Sequence, residues 1–172
     1  MKSSQTKKLV LAGVLTAVAV VGSLFSFPVL GSKCSPVQHM VNILCAVFLG
    51  PGYGLASAFL ASLLRNMMGL GSLLAFPGSM VGAISCGLIY KKTNNLLAAL
   101  LGEVVGTGIL GGLCAWPIAI LFMGQSAASV PLTAYILPFL VSTTGGAVIA
   151  GVVLFTMKNG GLLGTMQHQL ER

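Results

Sequence analysis

The chain has 172 residues, of which 56% are hydrophobic and only 6% charged, with a net charge of +7 and a mean hydropathy of +0.99. A soluble domain carries about 25% charged residues, so the composition excludes a water-soluble fold and requires lipid as the main solvent. The positive balance does not point to nucleic acid. Lys and Arg lie mostly at the chain ends and in one short loop, which is how a membrane protein displays its orientation.

A first span is predicted over residues 9–27, and Pro28 ends it. It follows Lys7 and Lys8 as a signal peptide would, but it is too long and lacks a small-residue cleavage pattern, so it is read as a retained helix. Ala12 with Thr16, and Gly13 with Ala17, are small-x-x-x-small pairs. Such spacing lets another helix approach closely, either within the chain or from a partner subunit. The densest polar passage follows: Gly31-Ser32-Lys33-Cys34-Ser35-Pro36-Val37-Gln38-His39-Met40-Val41-Asn42. In so apolar a chain these side chains must meet water or a ligand.

A second span is predicted over 37–49, and Gly50-Pro51-Gly52 turns the chain into a third over 53–68. The two form a hairpin, which returns Arg65 and Asn66 to the side that carries Gln38, His39 and Asn42. Residues 69–79 read as a loop that folds partly back over the protein. A fourth span is expected over 73–90, then the polar loop Lys91-Lys92-Thr93-Asn94-Asn95. The fifth span, over 96–123, is rich in Gly and hence closely packed. After a loop over 124–131 the sixth runs over 132–157, with Pro138 as an expected kink. The tail is polar and short. The expected fold is a single all-α membrane domain of six transmembrane helices. Lys2, Lys7, Lys8, Lys91, Lys92, Lys158 and Arg172 then share one side, against Lys33 and Arg65 on the other. The positive-inside rule places the N and C termini in the cytoplasm of a multi-pass cell-membrane protein.

Ionisable and amide groups in the spans are functional candidates by default. Gln38 and Asn42 are four apart, with His39 beside them, and share a helix face. They are either a helix start meeting headgroups or a hydrogen-bonding set for a polar ligand. Arg65 can snorkel to the interface, pair with Glu103, or read a ligand acceptor. Asn66 cannot snorkel and needs a partner. Glu103 is the only acid in any span; the other acid is Glu171 in the tail. About eight residues from the inner boundary at 1.5 Å each place Glu103 roughly 12 Å deep. Its role there is ligand contact, structural pair or proton carrier. Trp116 and Tyr135 are interfacial aromatics or rings beside a site, since aromatic faces stack on planar heterocycles. Ser142, Thr143 and Thr144 can bond to the backbone of their own helix.

The four cysteines have neither metal-ligand nor disulfide-framework spacing. Cys45, Cys86 and Cys114 lie in apolar runs and are read as small packed hydrophobes; Cys34 is in the polar passage. No phosphate-binding loop, metal-ligand pattern or nucleophile set is present, so no enzyme and no cofactor is expected. Uphill transport would need a partner or an ion gradient.

The polar passage, with Leu49-Gly50-Pro51-Gly52-Tyr53, Ser62-Leu63-Leu64-Arg65-Asn66 and Leu74-Ala75-Phe76-Pro77-Gly78-Ser79-Met80, resembles the substrate-binding S components of energy-coupling factor (ECF) vitamin transporters, and within them the ThiW family for the thiazole precursor of thiamine. These stretches cover the first half of the chain; the second half is similar only in its span pattern. The resemblance implies a docking motif of the Ala-x-x-x-Ala kind on the first span. Gly13 and Ala17 match it with Gly in the first place, and Ala12 and Thr16 are a shifted option. It implies as partners a membrane coupling protein and two cytoplasmic ATPases. It also implies capture from outside under loops 31–36, 69–79 and 124–131, and toppling of the subunit to release substrate inward. Hydroxyethylthiazole would meet Gln38, His39, Asn42, Arg65, Asn66 and Trp116, with Glu103 and Tyr135 as further candidates. The pyrimidine precursor or thiamine itself fits the same description, and a phosphorylated ligand would suit Arg65 and Lys33. Two other readings stand beside this one. The first is an autonomous secondary transporter of a small heterocycle with Glu103 as proton carrier, and the second a structural membrane subunit.

Overall fold

The computed structural model describes residues 3–172. The chain passes six times through one helical bundle. The legs are α1 (Ser3–Gly22), α2 (Pro36–Phe48), α3 (Pro51–Met67), α4 (Ala75–Thr93), the pair α5 (Leu96–Val105) and α6 (Gly112–Phe122), and α7 (Ile136–Asn159). A π-helical turn, Gly106–Gly111, joins α5 to α6, so the fifth leg is one interrupted helix. The stretches Ser4–Phe25, Leu96–Phe122 and Ile136–Asn159 are each long and apolar enough to cross a membrane. The start of α1 meets the C-terminal segment, the Ser4 hydroxyl donating to the Leu170 carbonyl; this end of the bundle is called here the terminal end, and the opposite end the distal end.

Local sequence explains the joints. Pro36 and Pro51 occupy the first turns of α2 and α3, where the missing N–H removes no helical bond and φ is preset. Gly50, with φ of +85°, reverses the chain between them. Asn94 closes α4 in the left-handed region. Asn95 opens α5, its side chain accepting from the N–H groups of Leu97 and Ala98 at 2.9 and 3.3 Å. The expected polar loop of residues 91–95 therefore shrinks to this asparagine pair.

α2 and α4 are the inner helices: α4 packs on α2, α3 and the α5–π turn, and α2 packs on α1, α3 and α7. Their contacts are made by small residues. Ala19, Ala58, Ala61, Ala83, Ala99, Ala115, Ala119 and Ala150 have no exposure. In lipid, where tails are as apolar as Leu, such close packing rather than water expulsion holds helices together. Large hydrophobics such as Leu9, Val10, Val14, Leu101, Val148 and Val152 face outward, an apolar girdle that water would not tolerate and lipid does.

Four features depart from the sequence expectation. A β-hairpin, β1 (Phe27–Val29) with β2 (Ser32–Cys34), takes up the start of the polar passage, with Val29 opposite Ser32. Its two-residue turn, Leu30-Gly31, has φ of +46° and +80°, as a two-residue hairpin of matching twist requires. The tail forms an amphipathic helix, α8 (Leu162–Glu171), with Leu163 and Leu170 buried. Gln167 Nε2 donates from it to the Val47 carbonyl and Tyr90 hydroxyl at 3.0 and 3.1 Å. Pro138 lies in the first turn of α7, which begins only at Ile136, and not within the span as expected. Helix α4 begins at Ala75, close to the start expected for the fourth span, so the overlapping loop expected over 69–79 is cut to its first half.

The α1 pairs separate by face. Ala12 and Thr16 are buried among Ala19, Val41 and Cys45, and the Thr16 hydroxyl donates to the Ala12 carbonyl at 2.8 Å. The Ala12–Thr16 register is therefore turned into the bundle, the within-chain contact of the two readings. Gly13 and Ala17 face outward, and nothing approaches a Cβ built on Gly13.

Candidate functional site: a polar chain beneath a distal pocket

The candidate site lies at the distal end, where the hairpin, α2, α3, α4 and α7 meet. A narrow pocket of about 30 Å³, opening into a wider mouth, is walled by Gln38, His39, Arg65, Ser79, Thr107 and Phe139, among others. Leu74, Ala75 and Gly78 add an apolar side. Phe139 lies directly on α4: a Cβ on Gly78 would come within 2.8 Å of its ring. The absence of that carbon lets an aromatic edge and a helix backbone form one flat wall.

Beneath the pocket, four polar side chains form a continuous line across the bundle. Arg65 Nη1 donates to Gln38 Oε1 at 3.4 Å. Gln38 Nε2 donates to Asn42 Oδ1 at 3.3 Å. Asn42 Nδ2 donates to Glu103 Oε1 at 2.9 Å and to the Ser79 carbonyl at 3.1 Å. Every link points its donor toward Glu103. The cation and the carboxylate therefore stand at opposite ends of two amides, and hydrogen bonds in such a chain polarise one another. The expected alternative, Arg65 in contact with Glu103, is not what the structure has.

Glu103 has no exposure. Its Oε1 also meets His39 Nδ1 at 3.0 Å and the Thr107 hydroxyl at 3.0 Å, while Oε2 has no protein partner. The i, i+4 spacing places Thr107 over Glu103, and the π-helical turn in which Thr107 sits is a break of the kind that recurs at functional sites. With Glu103 ionised, the proton of the His39 contact is on Nδ1. The hydrogen bond of the His39 ring to Glu103 is made through Nδ1, which leaves Nε2 as the other ring nitrogen. Helix α4 passes over this carboxylate at Gly82, where a Cβ would fall 1.9 Å from Thr107 Oγ1 and under 3 Å from both oxygens of Glu103.

The sequence candidates divide accordingly. Gln38, His39 and Arg65 reach the pocket wall; Asn42 and Glu103 stand behind it and fix its orientation. Asn66 turns away, donating to the carbonyls of Ser62 and Ser72 at 2.8 and 3.0 Å, and so pins the 68–74 loop. Trp116 is outside the pocket; its indole donates to the Val130 carbonyl at 2.9 Å and ties down the last distal loop. Tyr135 packs on Phe139 at a ring separation of 6.4 Å and touches the site only through it. Sequence reasoning did not single out Thr107, Ser79, Gly82 or Phe139. The i+4 step from Glu103 was the available signal for Thr107.

Above the pocket the hairpin is anchored at three points. Lys33 Nζ donates to the Gly69 carbonyl at 3.2 Å, Cys34 Sγ to the Pro138 carbonyl at 3.2 Å, and the Ser35 N–H to the Ser142 hydroxyl at 2.8 Å. Burial pushes the Cys34 thiol pKa up. Among the described residues no cluster of His, Cys, Asp or Glu could hold a metal ion.

The bundle is the fold of an ECF-transporter S component. The solved "S component of a bacterial ECF transporter" superimposes with a TM-score of 0.74 at 17% identity, over 90% of this chain and 97% of that one. The sequence itself matches the family ThiW, "Thiamine-precursor transporter protein", over residues 9–160. The chain belongs to the ThiW family, which is a family of membrane transport proteins and not of enzymes. No curated protein matches the sequence.

Proposed function

We propose that the chain is the substrate-binding S component of an ECF-type importer, and that its distal pocket faces outward and captures a thiamine precursor, hydroxyethylthiazole first. The observation that carries the reading is the pocket wall itself. A planar heterocycle would pack against the wall that Phe139 and Gly78 form. Arg65 and Gln38 supply donors for a ring nitrogen, and His39 Nε2 an acceptor for a ligand hydroxyl. The orientation follows from the lysines at the terminal end, and the cell membrane is the corresponding location. The hairpin and the 68–74 loop act as the lid.

Energy comes from a membrane coupling protein with two ATPases, since the chain carries no nucleotide-binding motif. The exposed register Gly13–Ala17 on α1 is the docking face for that coupling protein, because it is smooth and unoccupied while Ala12 and Thr16 are used internally. The test is titration of the purified protein with hydroxyethylthiazole, the pyrimidine precursor and thiamine, with mass spectrometry of what co-purifies. Binding of hydroxyethylthiazole at micromolar concentration or below, lost in Gln38→Ala, supports the reading; no binding of any of the three overturns it.

The buried His39–Glu103 pair favours one competing reading, autonomous proton-coupled transport. Uptake in cells without a coupling module, abolished by Glu103→Gln, would establish that instead.

A further inference from the structure

Arg65 is 3% exposed and lacks a counter-charge. Of the five N–H donors of a guanidinium, Nη1 has Gln38 Oε1 at 3.4 Å, and Nε is buried with no partner. The chain cannot supply a carboxylate. It holds two acids: Glu103 is two amides away and bonded to His39, Asn42 and Thr107, and Glu171 lies at the terminal end. A buried cation without a partner is costly.

Two more unpartnered groups line the same pocket. The hydroxyls of Ser32 and Ser35 are buried, at 4% and 3% residue exposure, and bond to nothing. Ser35 is the more telling. It occupies the N-cap of α2, where a serine hydroxyl ordinarily accepts from the first turn, yet it makes no capping bond. Lys33 lines the same pocket, with its ammonium also donating to the Gly69 carbonyl. The backbone adds to the same sign. α2, α4 and α7 all begin at this end, at Pro36, Ala75 and Ile136, and their first turns reach the pocket through Ser35, Ala75 and Phe139. Each helix N-terminus carries a partial positive charge and favours an anion.

We infer that the polar side of the pocket, formed by Arg65, Ser32, Ser35 and Lys33 at the α2 N-terminus, is an anion subsite, and that the preferred ligand is a phosphomonoester of the thiazole alcohol rather than the free alcohol. The inference rests on the ligand reading proposed above and refines it. The ring lies on Phe139 and Gly78, and the phosphate takes the Arg65 fork and the two serine hydroxyls. Arg suits this role because its planar fork matches phosphate oxygens in pairs.

The test uses the full chain in detergent or nanodiscs, titrated with hydroxyethylthiazole, its phosphate ester and inorganic phosphate. The expected result is an ester bound about tenfold to a hundredfold tighter than the alcohol, the range of charge-assisted bonds, with inorganic phosphate competing against the ester. Arg65→Gln collapses that preference, and Arg65→Lys restores part of it. If Arg65 variants do not fold, the double variant Ser32→Ala/Ser35→Ala serves instead. It removes hydroxyls that have no protein partner, so the fold loses no bond, and the ester preference should drop about tenfold. Alcohol bound as tightly as ester, with no effect of inorganic phosphate, overturns the subsite and leaves the thiazole reading standing. Phosphate binding to wild type but not to Arg65→Gln, with no binding of either thiazole, keeps the subsite and removes the thiazole. Binding of none of the three overturns both.

Discussion

Gly82→Ala tests the geometry of the site with one added methyl group. Its Cβ would stand 1.9 Å from Thr107 Oγ1, with the Glu103 oxygens at 2.8 and 2.9 Å. That is about 1.5 Å inside ordinary contact. The neighbours have little room to yield. Thr107 is β-branched and restricted at χ1 in a helix, and Glu103 is fixed by His39 and Asn42. Either α4 is pushed off α5 or the Thr107–Glu103 bond breaks. Overpacking costs about 1–3 kcal/mol and a lost buried hydrogen bond about 1 kcal/mol more, giving roughly 2–4 kcal/mol in all. For a chain of this size the melting temperature should fall by on the order of 5–15 °C. A thiol-reactive fluorophore measures this directly, since Cys34, Cys45 and Cys86 are buried until the bundle opens. Ligand affinity should fall with stability, because His39 is held by the displaced carboxylate. The control is Gly164→Ala in α8, where no atom lies near the added carbon; there helix propensity stabilises by up to about 1 kcal/mol. A Gly82→Ala protein that melts and binds like wild type would refute the close approach of α4 to Glu103.

Asn42→Ala removes the link between Gln38 and Glu103 and the extra bond that Asn42 adds to the Ser79 carbonyl, which keeps its own helical partner. Calorimetry should show at least about tenfold weaker ligand binding, with about 2–3 kcal/mol of stability lost on denaturation. Gly13→Leu fills the exposed face of α1 without touching the pocket. Ligand binding to the isolated subunit should persist, while co-purification with a coupling module and uptake in cells that have one are lost. Trp116→Phe removes only the bond to Val130; ligand affinity should stay within about threefold of wild type, less than one hydrogen bond is worth. Burial raises the Cys34 thiol pKa, so less of it is thiolate at neutral pH than in a free thiol. Its maleimide labelling should lag a free thiol at pH 7, accelerate at higher pH, and slow further when ligand closes the hairpin.

The features legible in the sequence were those in which polarity contradicted surroundings. Gln38, His39, Asn42, Arg65 and Glu103 stood out because each would be costly in an apolar span without a partner, and the structure joins all five. The Gly50–Pro51 reversal, which returns α3 to the start of α2, was legible from local chemistry alone. Thr107 and Ser79 were not, because a hydroxyl in an apolar helix satisfies itself on its own backbone as readily as it joins a network. Phe139 was one of eight phenylalanines, and only the contact with Gly78 distinguishes it. The hairpin was hidden by its turn, since Leu at φ of +46° is not the residue that two-residue hairpin turns select. Trp116 and Tyr135 were chosen for residue type, and position then gave them to loop and packing roles. Gly13 and Ala12 are equivalent in sequence; only the packing of α1 decided which one faces outward.

The central claim is that the distal pocket binds a thiamine precursor against Phe139, between Arg65 and His39. A structure of the protein soaked with hydroxyethylthiazole or its phosphate ester tests it most directly. The expected result is ligand density on the Phe139–Gly78 wall, with an acceptor at Arg65 and a hydroxyl or ester oxygen near His39 Nε2. Density elsewhere in the bundle, or an empty pocket at a ligand concentration that saturates binding in solution, would contradict it.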